Sequence, residues 1–127
     1  MGQRNLKKRF QDIVNGMKRI LHAFGYSYDG FRAIVKSEPA FRQDLAVFVI
    51  FSCIALMLDV TVCQRVLMIS SLFLILFAEC VNTAFEVTIN RISSDIHPLS
   101  KVVKDIGSLI VLLSFANAIA VWAVILL

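Results

Sequence analysis

The sequence predicts an all-α, polytopic membrane protein with three transmembrane helices and an N-terminal amphipathic surface helix, and three observations carry that reading. Of its 127 residues 58% are apolar and the mean hydropathy is +0.78, whereas soluble domains are roughly 45–50% apolar. Long uncharged stretches occupy residues 45–58, 66–78 and 106–127. Charge is placed unevenly: nine of the thirteen Lys and Arg lie in residues 1–42, and none follows Lys104. The net charge of +4 therefore reads as a membrane-topology signal, and no nucleic-acid partner is expected.

The elements follow in order. Over residues 4–24, Leu6, Phe10, Ile13, Val14, Met17, Ile20, Leu21 and Phe24 recur at spacings of three and four, while Lys7, Lys8, Arg9, Lys18 and Arg19 take the other face. Such a helix suits the surface of an anionic leaflet, and packing against the chain's own spans is the alternative. The two glycines of GYSYDG (residues 25–30) are expected to break it, with a helical turn or two resuming over 31–36. The surface-helix region thus runs over 4–36. Pro39 suits the first turn of the next helix, so the spans are set at 40–59, 65–89 and 105–127 within a single membrane domain. The seven residues 59–65 should make a tight hairpin turn.

Orientation is read from the basic count. Arg65 is alone in the first turn, whereas the N-terminal segment and the 90–105 loop carry the other cations, so both of these are expected on the cytoplasmic side. The N-terminal residues show no cleavable signal pattern, and the spans themselves are expected to direct insertion. Cys53, Cys63 and Cys80 have neither CxxC nor metal-ligand spacing and read as small packing residues. Trp122 reads as an interfacial anchor, and His97, before Pro98, as a loop or capping residue.

The chemistry concentrates in AECVNTAFEVTIN (residues 78–90). At about 100° per residue, Glu79, Asn82, Thr83, Glu86 and Asn90 share one helical stripe about 100° wide. Counted from Arg65, Glu79 lies roughly 21 Å into the span and Glu86 roughly 31 Å, near the far boundary of a hydrocarbon core about 30 Å thick. Glu38 lies just ahead of the first span on that side, and Lys104 and Asp105 just ahead of the third. Carboxylates sharing a site of low dielectric can supply a general base, and one or two of them can hold Mg²⁺ beside substrate phosphates. There is no GxxxxGK[ST] or kinase GxGxxG loop. Residue chemistry alone reaches an acidic intramembrane site that faces the cytoplasm. It leaves open both an enzyme and a small proton-coupled transporter or channel subunit.

GYSYDGFRA (25–33), SEPAFRQD (37–44), AECVNTAFE (78–86) and HPLSKVVKDIGS (97–108) together resemble the bacterial integral-membrane diacylglycerol kinase family. The resemblance covers roughly residues 17–127. It implies a homotrimer in the bacterial inner membrane, with three spans and a surface helix per protomer and sites at protomer boundaries. It implies transfer of the γ-phosphoryl group of ATP, with Mg²⁺, to the hydroxyl of diacylglycerol. By motif position Glu79 would be the base that takes the lipid hydroxyl proton, and Asn82 would help to orient that region. Glu38 and Glu86 would bind the metal. Lys104, Asp105, Arg19 and Tyr26 would contact the nucleotide. Asn90 stands where the family often has Asp, and Lys101-Val102-Val103 replaces a stretch that often carries Arg. HPLSK looks like the branch that phosphorylates undecaprenol, which makes undecaprenol kinase the enzymatic alternative.

Overall fold

The structure is a computed structural model that describes residues 2–92 and 97–127, with the side chains of residues 2–8 and of Phe10 outside the description. Leu6, Phe10, Lys7 and Lys8 of the expected amphipathic pattern, and residues 93–96 of the expected loop, fall outside it. Four helices follow one another: α1 (Gly2–Ser37), α2 (Pro39–Met57), α3 (Val62–Ile92) and α4 (Pro98–Leu126). No strand occurs among the described residues. The helices fall into two compact units, Met1–Ser37 and Glu38–Leu127.

In the first unit the helix runs unbroken through GYSYDG, contrary to the expected interruption. A glycine in a helix interior costs about 1 kcal/mol relative to alanine, which is small against a continuing apolar stripe. That stripe does continue: Ile13, Met17, Ile20, Phe24, Tyr28 and Phe31 fall at spacings of three and four, and all are exposed. Neither Gly25 nor Gly30 has positive φ, and the Ser27 hydroxyl donates to Ala23 O at 3.0 Å within the helix. Lys18, His22, Asp29 and Lys36 line the opposite side.

In the second unit α3 is the central helix, packed against α2 on one side and α4 on the other. All three are long and apolar enough to cross a membrane. Leu72, Ile75 and Ala118 form the core, joined by Phe48, Phe115 and Trp122. Ring contacts of Phe48 on Phe73 at 6.3 Å and of Phe51 on Trp122 at 5.3 Å, both edge to face, fasten α2 to its neighbours. Trp122 is accordingly a packing residue, and its Nε1 donates to Met68 O at 3.4 Å. Ser71 and Ser114 are buried, and each hydroxyl donates at 2.7 Å to a carbonyl of its own helix, Met68 O and Val111 O. Helices can therefore approach without leaving those polar groups bare.

The α2–α3 turn is shorter than expected, residues 58–61, because α3 begins at Val62. Thr61 and Gln64 form a capping box: Thr61 N donates to Gln64 Oε1 at 2.9 Å and Gln64 N to Thr61 Oγ1 at 3.3 Å. Arg65, expected to sit in the turn, lies on α3 and reaches back. Its Nε donates to Ala55 O at 3.1 Å, and its Nη2 to Leu58 O at 3.0 Å and Val60 O at 3.4 Å. The guanidinium thus satisfies carbonyls left open at the end of α2. At the other end, α4 starts at Pro98, before the span expected from residue 105. His97 is its N-cap, with Nδ1 accepting from Leu99 N at 3.2 Å. The cysteines, expected to pack, are exposed and free.

Candidate functional site

The end of the α2–α4 bundle away from the 58–61 turn collects the acids. Glu38 is the N-cap of α2, in extended backbone and with no side-chain capping bond, so its carboxylate is left for other partners. Asp44 lies a turn and a half farther along α2, half-buried. Glu79 projects from α3 and is only 7% exposed. The charges that act on it are those of Asp44, then Glu86, then Glu38. Three carboxylates from α2 and α3 therefore converge in effect on a fourth that is almost wholly removed from solvent, and no hydrogen bond to any of the four occurs among the described residues. The sequence pattern groups Glu38, Glu79 and Glu86, and the charges of Glu86 and Glu38 are felt at Glu79 after its burial and the charge of Asp44. Asp44, just ahead of the uncharged stretch 45–58, joins them and is not among the expected site residues. The signal that could have found it is Pro39, since a helix starting there carries Asp44 into the span beside Glu79.

Asn82 sits one turn beyond Glu79 against α4. Its Oδ1 is buried without a hydrogen-bond partner among the described residues. Gly107 makes room for it, because a Cβ at that position would overlap Asn82 Oδ1 and stand 3.3 Å from its Cγ and 3.6 Å from its Cα. A buried amide oxygen with no partner is held there at a cost of about 1–3 kcal/mol, a cost usual where a ligand completes the bonding.

The remaining predicted residues split. Lys104 Nζ donates to Asn90 Oδ1 at 3.0 Å, tying the start of α4 to the end of α3. The departure at position 90 thus puts a neutral acceptor under a cation. Asp105 pairs with Lys101 at 2.5 Å, one turn away on the same helix, with their side chains 60% and 73% exposed. An exposed pair of this kind holds its members weakly, so both remain available to a ligand. Arg19 and Tyr26 belong to the separate unit, where they lie seven residues apart on one face of α1, both exposed.

Among the described residues, no group of three or more His, Cys, Asp or Glu forms a metal cage. The donor set at Glu79 is instead a spread of hard carboxylate oxygens, which fits a cation that takes one or two protein ligands and fills its shell with water and phosphate oxygens. Mg²⁺ is such a cation.

Comparison with known proteins bears on the same residues. A family model described as prokaryotic diacylglycerol kinase matches residues 25–126, which includes every residue of the acidic cluster. The chain is similar to the diacylglycerol kinase of Pseudomonas aeruginosa, 44% identical over 112 residues that cover 88% of this chain and 91% of that protein. It is similar to the diacylglycerol kinase of Escherichia coli K12, 41% identical over 113 residues that cover 89% and 93%. That of Haemophilus influenzae is 32% identical over 113 residues, covering 89% and 96%. All of these are named as kinases, which leaves the transporter or channel reading without support.

Proposed function

Since the chain belongs to the prokaryotic diacylglycerol kinase family, we propose that it is an ATP-dependent lipid kinase, converting diacylglycerol to phosphatidic acid at the membrane interface. One observation carries the assignment of its chemistry to residues: Glu79 is buried in an apolar helix with three further carboxylates acting on it. A membrane span gains nothing structural from such an arrangement, whereas a reaction that removes a proton and gathers phosphate charge uses every part of it.

In the reaction the lipid hydroxyl oxygen attacks the γ-phosphorus of ATP. A new P–O bond forms, the bond to the β-phosphate oxygen breaks, and ADP leaves. The hydroxyl proton passes to the Glu79 carboxylate. Glu38 and Glu86 would hold Mg²⁺, which when bound neutralises phosphate charge and orients the γ-phosphoryl group. Asn82, one turn from Glu79 and with its Oδ1 unpaired among the described residues, would help to orient the lipid at that position. Lys104 would give up Asn90 for a phosphate, and Asp105 would give up Lys101 for the nucleotide. The resemblance to the family implies that Arg19 and Tyr26 would contact the nucleotide as well. Phosphoryl transfer depends mainly on positioning and charge neutralisation, so a site built of helix-borne polar groups suffices without a phosphate-binding loop.

The protein is a multi-pass membrane protein. We place it in the bacterial inner membrane as a homotrimer with its N-terminus in the cytoplasm. The excess of basic residues before α2 supports that orientation, and it puts the acidic end of the bundle on the side where ATP is found.

The test offers purified protein labelled ATP together with diacylglycerol and with undecaprenol. Label should move to diacylglycerol and depend on Mg²⁺; preferential labelling of the polyprenol would replace the proposed substrate, and no labelling of either would remove the kinase reading.

A further inference from the structure

The polar stripe of α3 ends at Asn90, one turn beyond Glu86 and two residues before the helix stops at Ile92. There it meets α4, where Lys104 Nζ donates to Asn90 Oδ1 at 3.0 Å. The choice of partner is selective. Glu86 lies four residues back on the same stripe, about 6 Å along the helix axis, and Asp105 adjoins Lys104 in sequence. Asp105 is taken by Lys101, one turn away on α4. Glu86 accepts nothing from Lys104, and no carboxylate pairs with Lys104 among the described residues. The ammonium is therefore held by a neutral group.

Charge decides what that means for a ligand. An amide oxygen fixes the direction of an ammonium and leaves its charge intact, whereas a carboxylate fixes it and cancels it at once. Hydrogen bonds to a charged acceptor are also the stronger ones, so a phosphate oxygen outbids an amide for a lysine and does not outbid a carboxylate so easily. Asn90 is exposed and Lys104 half-buried, so water weakens the bond that an incoming anion has to displace. Holding the lysine beforehand also restricts a long side chain that a phosphate would otherwise have to order.

We propose that Asn90 sets the affinity for the nucleotide by acting through Lys104, which it holds beside the Glu86 end of the stripe on an uncharged acceptor until a phosphate takes it over. The proposal rests on the kinase reading and adds a positioning residue to it. Asn90 bears on the binding of ATP and leaves the transfer step to Glu79. An aspartate in its place would make release of Lys104 cost a charge pair and would turn a negative charge toward the phosphates. A leucine there would leave the lysine unheld.

The experiment gives labelled ATP and diacylglycerol to the full chain in lipid bilayers, beside Asn90→Asp and Asn90→Leu, and measures kcat and the KM of each substrate separately. Asn90→Asp should raise KM for ATP about two- to tenfold, with kcat and KM for diacylglycerol within about twofold of the unaltered protein. Asn90→Leu should raise KM for ATP by less. A bond that served only to hold α3 against α4 would give the reverse order, because Asp strengthens the contact with Lys104 and Leu abolishes it. Equilibrium binding of a non-hydrolysable ATP analogue should follow KM in all three proteins, and circular dichroism should show them equally helical. If Asn90→Leu is impaired more than Asn90→Asp, or if Asn90→Asp leaves KM for ATP unchanged, the role of Asn90 fails while the kinase reading stands. An unaltered protein that labels no lipid removes both.

Discussion

The two ends of the α2–α4 bundle treat polar groups in opposite ways. At the turn end most polar groups are closed locally, although Ser52 Oγ, five residues before the end of α2, is buried without a partner among the described residues. Thr61 and Gln64 cap α3 reciprocally, Arg65 covers three carbonyls around the end of α2, and Trp122 gives its N–H to Met68 O. At the acidic end Glu79 is buried with carboxylates acting on it, Asn82 Oδ1 has no partner among the described residues, and the Glu38 side chain leaves its helix uncapped. Both ends lie on the same helices, so helix propensity and hydropathy do not explain the contrast. Completed bonding prevails where the turn is fastened, and unpaired polar groups gather around Glu79 and Asn82.

Substitutions at the two ends can break that contrast. The largest effect is expected from Glu79→Gln, which keeps the shape and removes the base. Turnover in the labelled-ATP assay should fall about 10²- to 10⁴-fold with helicity and oligomer mass unchanged. Retained turnover would mean that the acidic end is unfinished for some other reason. Next comes Gly107→Ala, where the added methyl meets Asn82. It should cost about 1–3 kcal/mol in a detergent or denaturant unfolding titration, and it should lower turnover as well because Asn82 must move. A loss confined to stability would separate Asn82 from the chemistry.

At the turn end the effects should be smaller and purely structural. Thr61→Ala deletes half of the capping box and should cost about 1 kcal/mol of unfolding stability with turnover unchanged. A turnover defect there would show that the two ends are coupled. Smallest is Lys101→Ala, which breaks the exposed pair with Asp105. The unfolding midpoint should move by less than about 0.5 kcal/mol equivalent, and a larger change would mark that pair as structural after all.

How much of this was legible in the residues divides along the same line. The spans were legible because hydropathy averages over many positions, and the acidic stripe because one carboxylate in such a run is conspicuous and a second at helical spacing gives it a face. What escaped was set by short-range bonding. The start of α3 at Val62 is hidden because Arg65, the only cation nearby, resembles a boundary, although the T-x-x-Q pattern of 61–64 carries the capping signal. Asp44 escaped because it adjoins the uncharged stretch 45–58, although it lies inside a helix. The continuity of α1 was missed by weighing Gly25 and Gly30 locally, when Tyr28 and Phe31 extend the stripe across them. Trp122 shows the limit plainly, since its place near a span end does not tell which helices its ring packs against.

The Arg65 clasp has a consequence for how the chain reaches its place. In the proposed orientation, the segment that must travel through the whole hydrocarbon layer during biogenesis is the short turn with Asp59 and the start of α3 with Arg65. A guanidinium that arrives already folded onto three main-chain oxygens presents far less bare cation to the lipid than an extended one, and it ties the two helices into a single hairpin as they enter. The bonds that finish the turn in the mature protein thus also ease its passage.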